Sequence, residues 1–169
     1  MVLHCAPVLL NVGWIESPRT KFKYYYEAIT PTVARFLETL DGERLAVAAE
    51  LGEQLPSVSS WLQQSYGVCG SSLFECIQAN PAYAEIDAPK TIEHRYLFED
   101  VPDGLVPLEA IGKQLGLNMH HISLVIDLAE AITGISFRQD GRSLPALGLP
   151  DELGREELRQ ALLGNTQTR

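Results

Sequence analysis

The apolar residues of the chain recur mostly every three or four positions, which is the spacing of one buried face of an α-helix. The clearest such segment begins at Thr30 and Pro31, residue types favoured at the N-cap and first position of a helix. Its rhythm continues to Leu51, and Gly52 supplies the stop, because glycine readily adopts the left-handed conformation after a helix. The pattern therefore predicts one long helix over residues 31–51.

Shorter helical segments are bounded by serine, proline or glycine. In chain order, the predicted helices are 57–66 ended by Gly67, a segment from Ser71 or Ser72 to Gln78, 90–100 ended by Pro102, 107–115 ended by Gly116, 122–132 ended by Gly134, and 151–163. Residues 138–150 are predicted to be a loop, and 164–169 a frayed tail. No strand–helix–strand alternation and no internal repeat is present, so the predicted fold class is all-α, with one helical domain over residues 1–163.

The apolar stripes also predict which side chains two of these helices bury. In the helix that Pro107 opens, the inward residues are predicted to be Leu108, Ile111 and Leu115. In the next helix, they are predicted to be Ile122, Val125, Ile126, Ala129 and Ile132.

Composition narrows the function classes further. The 169 residues include 13 Lys and Arg against 22 Asp and Glu, a net charge of −9. Nucleic acids and anionic membrane surfaces both require a basic footprint, so neither partner is expected. No apolar run reaches the ~20 residues of a membrane span. The apolar first 15 residues lack the basic start of a signal peptide.

The cysteines and the histidine pair indicate neither a disulfide framework nor a metal site. Cys5, Cys69 and Cys76 are an odd number without Cys-x-x-Cys spacing, which favours free thiols in a reducing compartment. We therefore expect a cytoplasmic protein. His120 and His121 point in different directions on a helix and have no carboxylate or cysteine at a supporting spacing, so no metal is expected.

Three residues carry candidate chemistry, each with a structural alternative. His4 has either an acid–base role or the role of a histidine hydrogen-bonded within the fold. Arg95 either forms a helix surface pair with Glu99 or holds a substrate carboxylate in two hydrogen bonds. Asp100 either ends a helix or orients a histidine and stabilises its protonated form.

Two further segments favour structural roles. The run Tyr24–Tyr26 is typical of core packing, although a buried hydroxyl usually needs a partner, so one of the three could line a polar pocket. The segment Gly67–Ser72 lacks the spacing of a phosphate-binding loop and is better explained as a helix stop followed by a helix cap.

Five sets of segments, in order over about residues 2–150, form a larger pattern. They are Leu3–His4 with Asn11–Gly13 and Ile15–Glu16, Tyr25–Pro31 with Leu40–Arg44, Asn80–Tyr83 with Ala88–Pro89, Arg95–Pro102 with Gly104–Leu108, and Gly141–Leu144 with Leu147–Leu149. The ordered set resembles the C-terminal domain of the octopine and nopaline dehydrogenase family, and Arg95–Pro102 is its strongest part.

The resemblance implies a fold similar to the helical domains of 6-phosphogluconate-type dehydrogenases. Members of the family join a 2-oxo acid, often pyruvate, to the amino group of an amino acid and reduce the imine with NADH or NADPH to an opine. By position, His4 is implied as the acid–base residue, Asp100 as its partner and Arg95 as the carboxylate anchor. Asn11 is implied as a residue that binds substrate or orients His4.

The sequence departs from the family pattern in two ways. Cys5 stands where the family usually has a proline after the histidine. The family also places a nucleotide-binding Rossmann domain before the histidine, and its glycine fingerprint is absent from this sequence. Because hydride chemistry belongs to the cofactor, we expect this polypeptide to be inactive alone. It is then a fragment, an excised domain or one half of a split enzyme with a separate Rossmann chain.

Two other functions are compatible with parts of the sequence. A non-enzymatic helical module for dimerisation or ligand binding is the main alternative, but the presence of His4, Arg95 and Asp100 favours the enzyme. A related dehydrogenase of a phosphorylated sugar acid fits less well, because no cluster of basic residues is present for a phosphate. The face that would meet the cofactor domain is expected to be exposed, apolar and prone to self-association. If residues 1–15 pack against that domain in the whole enzyme, we expect them either to be ordered differently here or to mediate a homodimer.

Overall fold

The computed structural model describes residues 1–150 and 153–163. Within these residues the chain is helical, without a β-strand and with an isolated bridge between Lys23 and Asp87. The predicted all-α fold class is therefore confirmed. The tail predicted at 164–169, and the first two residues of the helix predicted at 151–163, lie outside the described residues.

Helices of very different length make up this part of the chain. The α-helices are α1 (Cys5–Leu10), α2 (Val12–Ile15), α3 (Pro31–Glu50), α4 (Val58–Tyr66), α5 (Leu73–Gln78), α6 (Arg95–Phe98), α7 (Val106–Gln114), α8 (His120–Thr133), α9 (Phe137–Asp140) and α10 (Arg155–Leu163). Turns of π-helix are formed by Tyr24–Ala28 and Val101–Leu105, and turns of 3-10 helix by Pro81–Tyr83 and Pro145–Leu147. Within the described chain, none of these helices is both long enough and apolar enough to cross a bilayer.

The chain divides into two compact units, each with its own buried side chains. Unit 1 comprises residues 1–42 and 56–100, and unit 2 comprises residues 43–55 and the chain from residue 101 onward. The largest fully buried side chains of unit 1 are those of Tyr24, Ile29, Leu37, Leu40, Leu62, Leu73, Ile77 and Leu97. Those of unit 2 are Leu105, Ile122, Ile126 and Leu158.

The predicted starts and stops of α4 and α5 are confirmed by their cap hydrogen bonds. The Ser57 hydroxyl accepts from the Ser60 amide at the start of α4, and the Ser72 hydroxyl accepts from the Glu75 amide at the start of α5. Gly67 ends α4 with φ 66°, in the left-handed region that favours glycine. Short polar residues thus set these boundaries by satisfying amides that have no partner within the helix.

The helix predicted over 90–100 is wrong in its first half. Only Arg95–Phe98 is helical. The Thr91 hydroxyl accepts from the Glu93 amide, and a local hydrogen bond of this kind competes with helix formation. The ring of His94 accepts from the Tyr96 amide, which makes His94 the N-cap residue and starts the helix at Arg95. Pro102 does not end a helix either; it lies inside the π turn Val101–Leu105, which runs directly into α7.

The predicted inward faces of α7 and α8 are partly wrong. In α7, Leu115 follows the helix and is buried as expected, but Glu109 is buried in place of Leu108 and Ile111. In α8, the stripe is buried apart from Ile132, which lies in the last turn and is 41% exposed. An ion-pair cluster around Glu109 explains the first difference.

The loop predicted over 138–150 contains the end of α9 and a turn of 3-10 helix. The backbone of Gly141 follows α9 and passes close to Pro102, and the neighbouring Arg142 amide donates to the Pro102 carbonyl at 2.9 Å. A close approach of two backbones is a reason for glycine at this position.

Replacing Gly141 by alanine is expected to lower the free energy of unfolding by about 1–3 kcal/mol. A Cβ atom there would lie 2.5 Å from the Phe137 carbonyl oxygen and 2.8 Å from the Pro102 carbonyl oxygen, and backbone atoms cannot move aside cheaply. Urea unfolding measures the change. The matched control is Gly42→Ala in α3, where nothing lies within 4 Å of the new Cβ. It is expected to stabilise by about 0.5–1 kcal/mol, and an equal loss in both variants would contradict the steric explanation.

Most of the apolar start of the chain packs inside unit 1. Its buried members are Val2, Leu3, Cys5, Ala6, Val8, Leu9 and Ile15. Leu10 and Trp14 are the large apolar side chains of this segment that are exposed, by 51% and 37%. A homodimer through this segment stays a prediction.

Candidate functional site

His4 and Asp100 lie 96 residues apart in the sequence and form a direct hydrogen bond in unit 1. The Nδ1 atom of His4 is 2.5 Å from Oδ2 of Asp100. His4 is the N-cap residue of α1, and Asp100 follows the end of α6, which packs against α1. The packing of two short helices therefore brings together the two residues assigned to acid–base chemistry.

The other ring nitrogen of His4 also has a partner. Its Nε2 atom is 3.0 Å from the hydroxyl oxygen of Tyr25. The neighbouring Tyr24 hydroxyl donates to the backbone carbonyl of His4 at 2.6 Å. Both tyrosines lie in the π turn Tyr24–Ala28, a wide turn that is uncommon and frequent at functional sites.

Aromatic rings enclose this histidine and its partner. The ring of Tyr96 stacks on that of His4 with centroids 4.1 Å apart and an interplanar angle of 12°. Tyr25 stacks in the same way on Tyr83, at 4.0 Å and 14°, and meets Tyr24 edge to face. Stacked and edge-to-face contacts fix ring orientation, so the His4 imidazole lies in a defined position.

Burial sets the ionisation of these groups. It lowers the pKa of His4 from its ordinary value of 6.5 and outweighs the hydrogen bond that His4 donates to Asp100, which acts in the opposite direction. The neutral imidazole is therefore the main form at neutral pH. Burial also raises the pKa of Tyr24 and Tyr25, so both phenols stay protonated.

Arg95 occupies the first position of α6, and the structure brings it near the His4 site without a direct bond. Its charge makes a small contribution to the low pKa of His4, after the larger effects of burial and of the Met1 amino group. The side chain is 70% exposed, and its Nη2 atom pairs with Oε2 of Glu99 at 3.2 Å. The surface pair expected from the sequence is therefore present. An exposed pair of this kind is weak, so the guanidinium can exchange Glu99 for another carboxylate.

Asn11 has a structural role in this arrangement. Its Nδ2 atom donates to the carbonyls of Pro7 and Ala28, at 2.8 Å and 3.2 Å. These bonds fasten the end of α1 to the π turn that carries Tyr25. Its predicted part in substrate binding stays a prediction.

The sequence indicated Tyr25 only as one of three neighbouring tyrosines, and it gave no role to Tyr96. The run of three tyrosines was a usable signal, because three neighbouring hydroxyls next to a buried segment all need partners. Which of them meets a histidine ring depends on the π turn, and the spacing of the residues does not reveal that turn.

Cys5 is compatible with the histidine that precedes it. It is the first residue of α1 and is 1% exposed. The position after the N-cap suits proline, whose missing amide is not needed there, and here the Cys5 amide donates to the Met1 carbonyl at 3.3 Å. Burial raises the pKa of the thiol to about 12, so it is unreactive at neutral pH.

The adjacent histidines His120 and His121 lie at the start of α8. The Nδ1 atom of His121 is 2.8 Å from Oε1 of Glu43, and the Glu43 carboxylate also accepts the amides of His121 and Ile122. Glu43 thus caps the N-terminus of α8 within unit 2. In the part of the chain that the structure describes, no group of three or more His, Cys, Asp or Glu side chains is placed to hold a metal ion.

Comparison with known proteins agrees with this geometry. A family model described as NAD/NADP octopine/nopaline dehydrogenase, alpha-helical domain, matches residues 1–133. The chain is 42% identical over 148 residues to an opine dehydrogenase of Arthrobacter sp. (strain 1C), covering 88% of this chain and 41% of that protein. It is 29% identical, with the same coverage, to the protein ocs of Agrobacterium vitis.

Solved structures show the same fold. An octopine dehydrogenase structure with NADH and L-arginine superposes with a TM-score of 0.68 at 19% identity, covering 99% of this chain and 48% of that one. A structure of octopine dehydrogenase with NADH and agmatine gives 0.66 at 17% identity, with the same coverage. The chain spans less than half the length of each of these relatives. By sequence and by fold, it belongs to the octopine/nopaline dehydrogenase family and corresponds to the alpha-helical domain of that family.

Proposed function

We propose that this chain is the substrate-binding and catalytic half of an opine dehydrogenase. The reaction joins a 2-oxo acid such as pyruvate to the amino group of an amino acid and reduces the product to a secondary amine. The observation that carries the proposal is the 2.5 Å contact between His4 and Asp100, because a histidine held by a carboxylate suits proton transfer near neutral pH.

His4 acts when the amine has added to the oxo acid. The adduct is a carbinolamine, and its hydroxyl leaves as water once a protonated His4 donates a proton to it. The C–O bond then breaks and the C=N bond forms. In the opposite direction, neutral His4 takes a proton back. Asp100 accepts from Nδ1, which keeps the ring in one tautomer and leaves Nε2 as the nitrogen that exchanges protons.

Arg95 binds a substrate carboxylate in this proposal. Its guanidinium is a planar fork that matches a carboxylate with two parallel hydrogen bonds. Its 70% exposure and its weak pairing with Glu99 leave it available to a ligand. Placement of the reacting carbon relative to the reductant is a matter of orientation, which such a fork supplies.

The Arg95→Lys variant is expected to raise the KM for the 2-oxo acid by roughly 10–100-fold with little change in kcat. Lysine keeps the charge but loses the second hydrogen bond of the fork. Steady-state kinetics of a reconstituted enzyme measures the change. Glu99→Gln is the matched control: it frees Arg95 from its pair and is expected to leave KM the same or lower. A lower kcat at unchanged KM in Arg95→Lys would contradict a carboxylate-binding role.

The nicotinamide cofactor is not a group that these residues fit. A dinucleotide cradle needs a strand, a glycine-rich turn and a helix, and the described residues contain no strand. We therefore assign NAD or NADP to a nucleotide-binding domain outside these residues, in the same polypeptide or in a separate chain. What this chain contributes is proton transfer and substrate binding.

We also propose a reducing, cytoplasmic location. Cys5 and Cys76 are buried free thiols, and Cys69 is an exposed one. An exposed thiol persists most readily where glutathione and thioredoxin keep cysteines reduced. Thiol titration of protein purified without reductant tests this proposal: three reactive thiols after unfolding support it, and an intermolecular disulfide through Cys69 counts against it.

Reconstitution tests the proposed function. The chain is fused to, or mixed with, the nucleotide-binding domain of a relative, and oxidation of NADH and NADPH is followed with pyruvate and a panel of amino acids. Turnover that depends on an oxo acid and an amino acid together supports the proposal. A folded complex without turnover for any pair would favour a ligand-binding or dimerisation module instead.

A further inference from the structure

The Tyr25 hydroxyl contacts Nε2 of His4, the ring nitrogen that exchanges a proton with substrate in the proposed reaction. Both ring nitrogens of the imidazole have a partner within unit 1, Asp100 at Nδ1 and the Tyr25 hydroxyl at Nε2. One face of the ring is covered by Tyr96. The nitrogen assigned to proton exchange is therefore hydrogen-bonded to the protein before substrate arrives.

The Tyr25 hydroxyl has the chemistry of a reversible partner. A phenol donates one hydrogen bond and also accepts. Towards neutral His4, whose proton is on Nδ1, it donates to the Nε2 lone pair. Towards protonated His4 it accepts from Nε2–H, and its own proton then points away from the imidazole ring.

Tyr25 is held rigidly enough for this role. The side chain is 5% exposed, and its ring lies between the stacked ring of Tyr83 and the edge of Tyr24. Burial raises the pKa of its hydroxyl, so tyrosinate does not form at neutral pH and Tyr25 is no acid or base itself.

We propose that Tyr25 is a positioning residue for the acid–base reaction, whose hydroxyl holds the Nε2 atom of His4 in both protonation states and stabilises the imidazolium opposite Asp100. This inference rests on the proposed acid–base role of His4. When substrate is bound, the Nε2–H proton is shared between the Tyr25 oxygen and the hydroxyl that leaves. The proton passes to that hydroxyl, and the Tyr25 hydroxyl then donates to the neutral Nε2, so Tyr25 neither gains nor loses a proton in the net reaction.

The groups around His4 decide in which direction its pKa moves when the Tyr25 hydroxyl is removed. The titratable and charged groups around the ring are Asp100, Arg95, the Met1 amino group, Cys5, Tyr24, Tyr25 and Tyr96. Tyr25→Phe removes a hydroxyl and leaves all these charges unchanged, including the Met1 amino group, which pairs with Oδ2 of Asp100 at 3.2 Å. A hydrogen bond to a charged group is worth more than one to its neutral form, so the imidazolium loses more than the imidazole.

The test is the titration of His4 in Tyr25→Phe, followed by NMR on the full chain, with the His4 signals identified by their loss in His4→Asn. The pKa of His4 is expected to fall by roughly 0.5–1 pH unit. Phenylalanine keeps the stack on Tyr83, so the fold is expected to persist. The matched control is Tyr26→Phe in the same π turn, whose hydroxyl donates to the Asn80 carbonyl at 2.9 Å and not to His4. This control is expected to leave the pKa of His4 unchanged.

An unchanged or raised pKa of His4 in Tyr25→Phe would overturn the inference, and so would an equal fall in Tyr26→Phe. Reconstituted enzyme gives a second readout, because the limb of the pH–rate profile that belongs to His4 should move by the same amount as the titration. A uniform loss of rate at all pH values would mean a structural role only. Because the titration is read on this chain alone, a shift without any turnover would retain the hydrogen-bond role and reject the reaction instead.

Discussion

Replacing His4 by asparagine in a reconstituted enzyme is expected to lower kcat/KM by about 10²–10⁴-fold, the usual contribution of a positioned general acid–base group. Asparagine retains an N–H close to the position of Nδ1, so the contact with Asp100 can persist. It is also a favoured N-cap residue, and His4 is the N-cap of α1. Folding should therefore be preserved while the group that moves the proton is lost, which steady-state kinetics and circular dichroism together would show.

The Asp100→Asn variant tests whether Asp100 and His4 act together. An amide at this position offers a donor or a neutral acceptor to Nδ1, so the tautomer and the charge stabilisation of His4 are both weakened. We expect a loss of kcat/KM of similar order in Asp100→Asn and little further loss in the double variant, because residues that act as a unit are not additive. Independent, multiplying losses would contradict a shared role.

Replacing Arg138 by methionine is expected to lower the free energy of unfolding by about 3 kcal/mol. Arg138 binds the buried Glu109 carboxylate through two bonds of 2.8 Å, from Nε to Oε2 and from Nη2 to Oε1. Its Nη1 atom also pairs with Asp127 and Glu130, at 2.7 Å and 2.9 Å. The Glu109 side chain is 5% exposed. Loss of the guanidinium therefore leaves a buried carboxylate without its main partner, and urea unfolding measures the cost.

The same cluster predicts a loss of stability in acid. Burial alone would raise the pKa of Glu109, but hydrogen bonds from Arg138, Lys113 and Ser123 overcome it and lower the pKa to about 2 from 4.5. Since the folded-state pKa is depressed, this stabilisation, roughly 3 kcal/mol, is complete above pH 4.5 and is lost as the pH falls towards 2. Unfolding measured between pH 7 and pH 2 should show that dependence, and Arg138→Met should show much less of it.

Two further variants distinguish the cost of leaving the Glu109 charge unpaired from the cost of disturbed packing. Asp127→Asn removes a partner of Arg138 that is 63% exposed, and such a loss is expected to cost less than about 1 kcal/mol. The double variant Glu109→Leu with Arg138→Met removes both charges and should be more stable than Arg138→Met alone. A double variant less stable than the single one would mean that packing, and not the buried charge, explains the effect.

The sequence predicted helix ends well where they depend on contacts between neighbouring residues. Ser57, Ser72 and Gly67 define helix ends through contacts with their immediate neighbours, and the structure has each where it was expected. Burial depends on distant partners and was harder to predict. A glutamate on an apolar helix face is expected to point to solvent, and Glu109 is buried because Arg138, 29 residues later, binds it.

In the candidate site, too, contacts between residues distant in the sequence were the harder ones to predict. Without the family resemblance, nothing local distinguishes His4 from a structural histidine, because its partner lies 96 residues away. The resemblance indicated His4 and Asp100 together, and they are in direct contact in the structure. Tyr25 was indicated only as one of three neighbouring tyrosines, since its contact with Nε2 depends on a π turn that side-chain periodicity does not encode.

The most direct test of the account is product analysis of the reconstituted protein. The chain, joined to a nucleotide-binding domain, is incubated with reduced cofactor, pyruvate and a panel of amino acids, and the products are identified by mass spectrometry. We expect a secondary amine dicarboxylate built from one oxo acid and one amino acid, in strongly reduced amount with His4→Asn. A folded assembly that forms no such product from any pair, or forms it equally well in His4→Asn, would contradict the assignment of His4 and Asp100 as the catalytic pair.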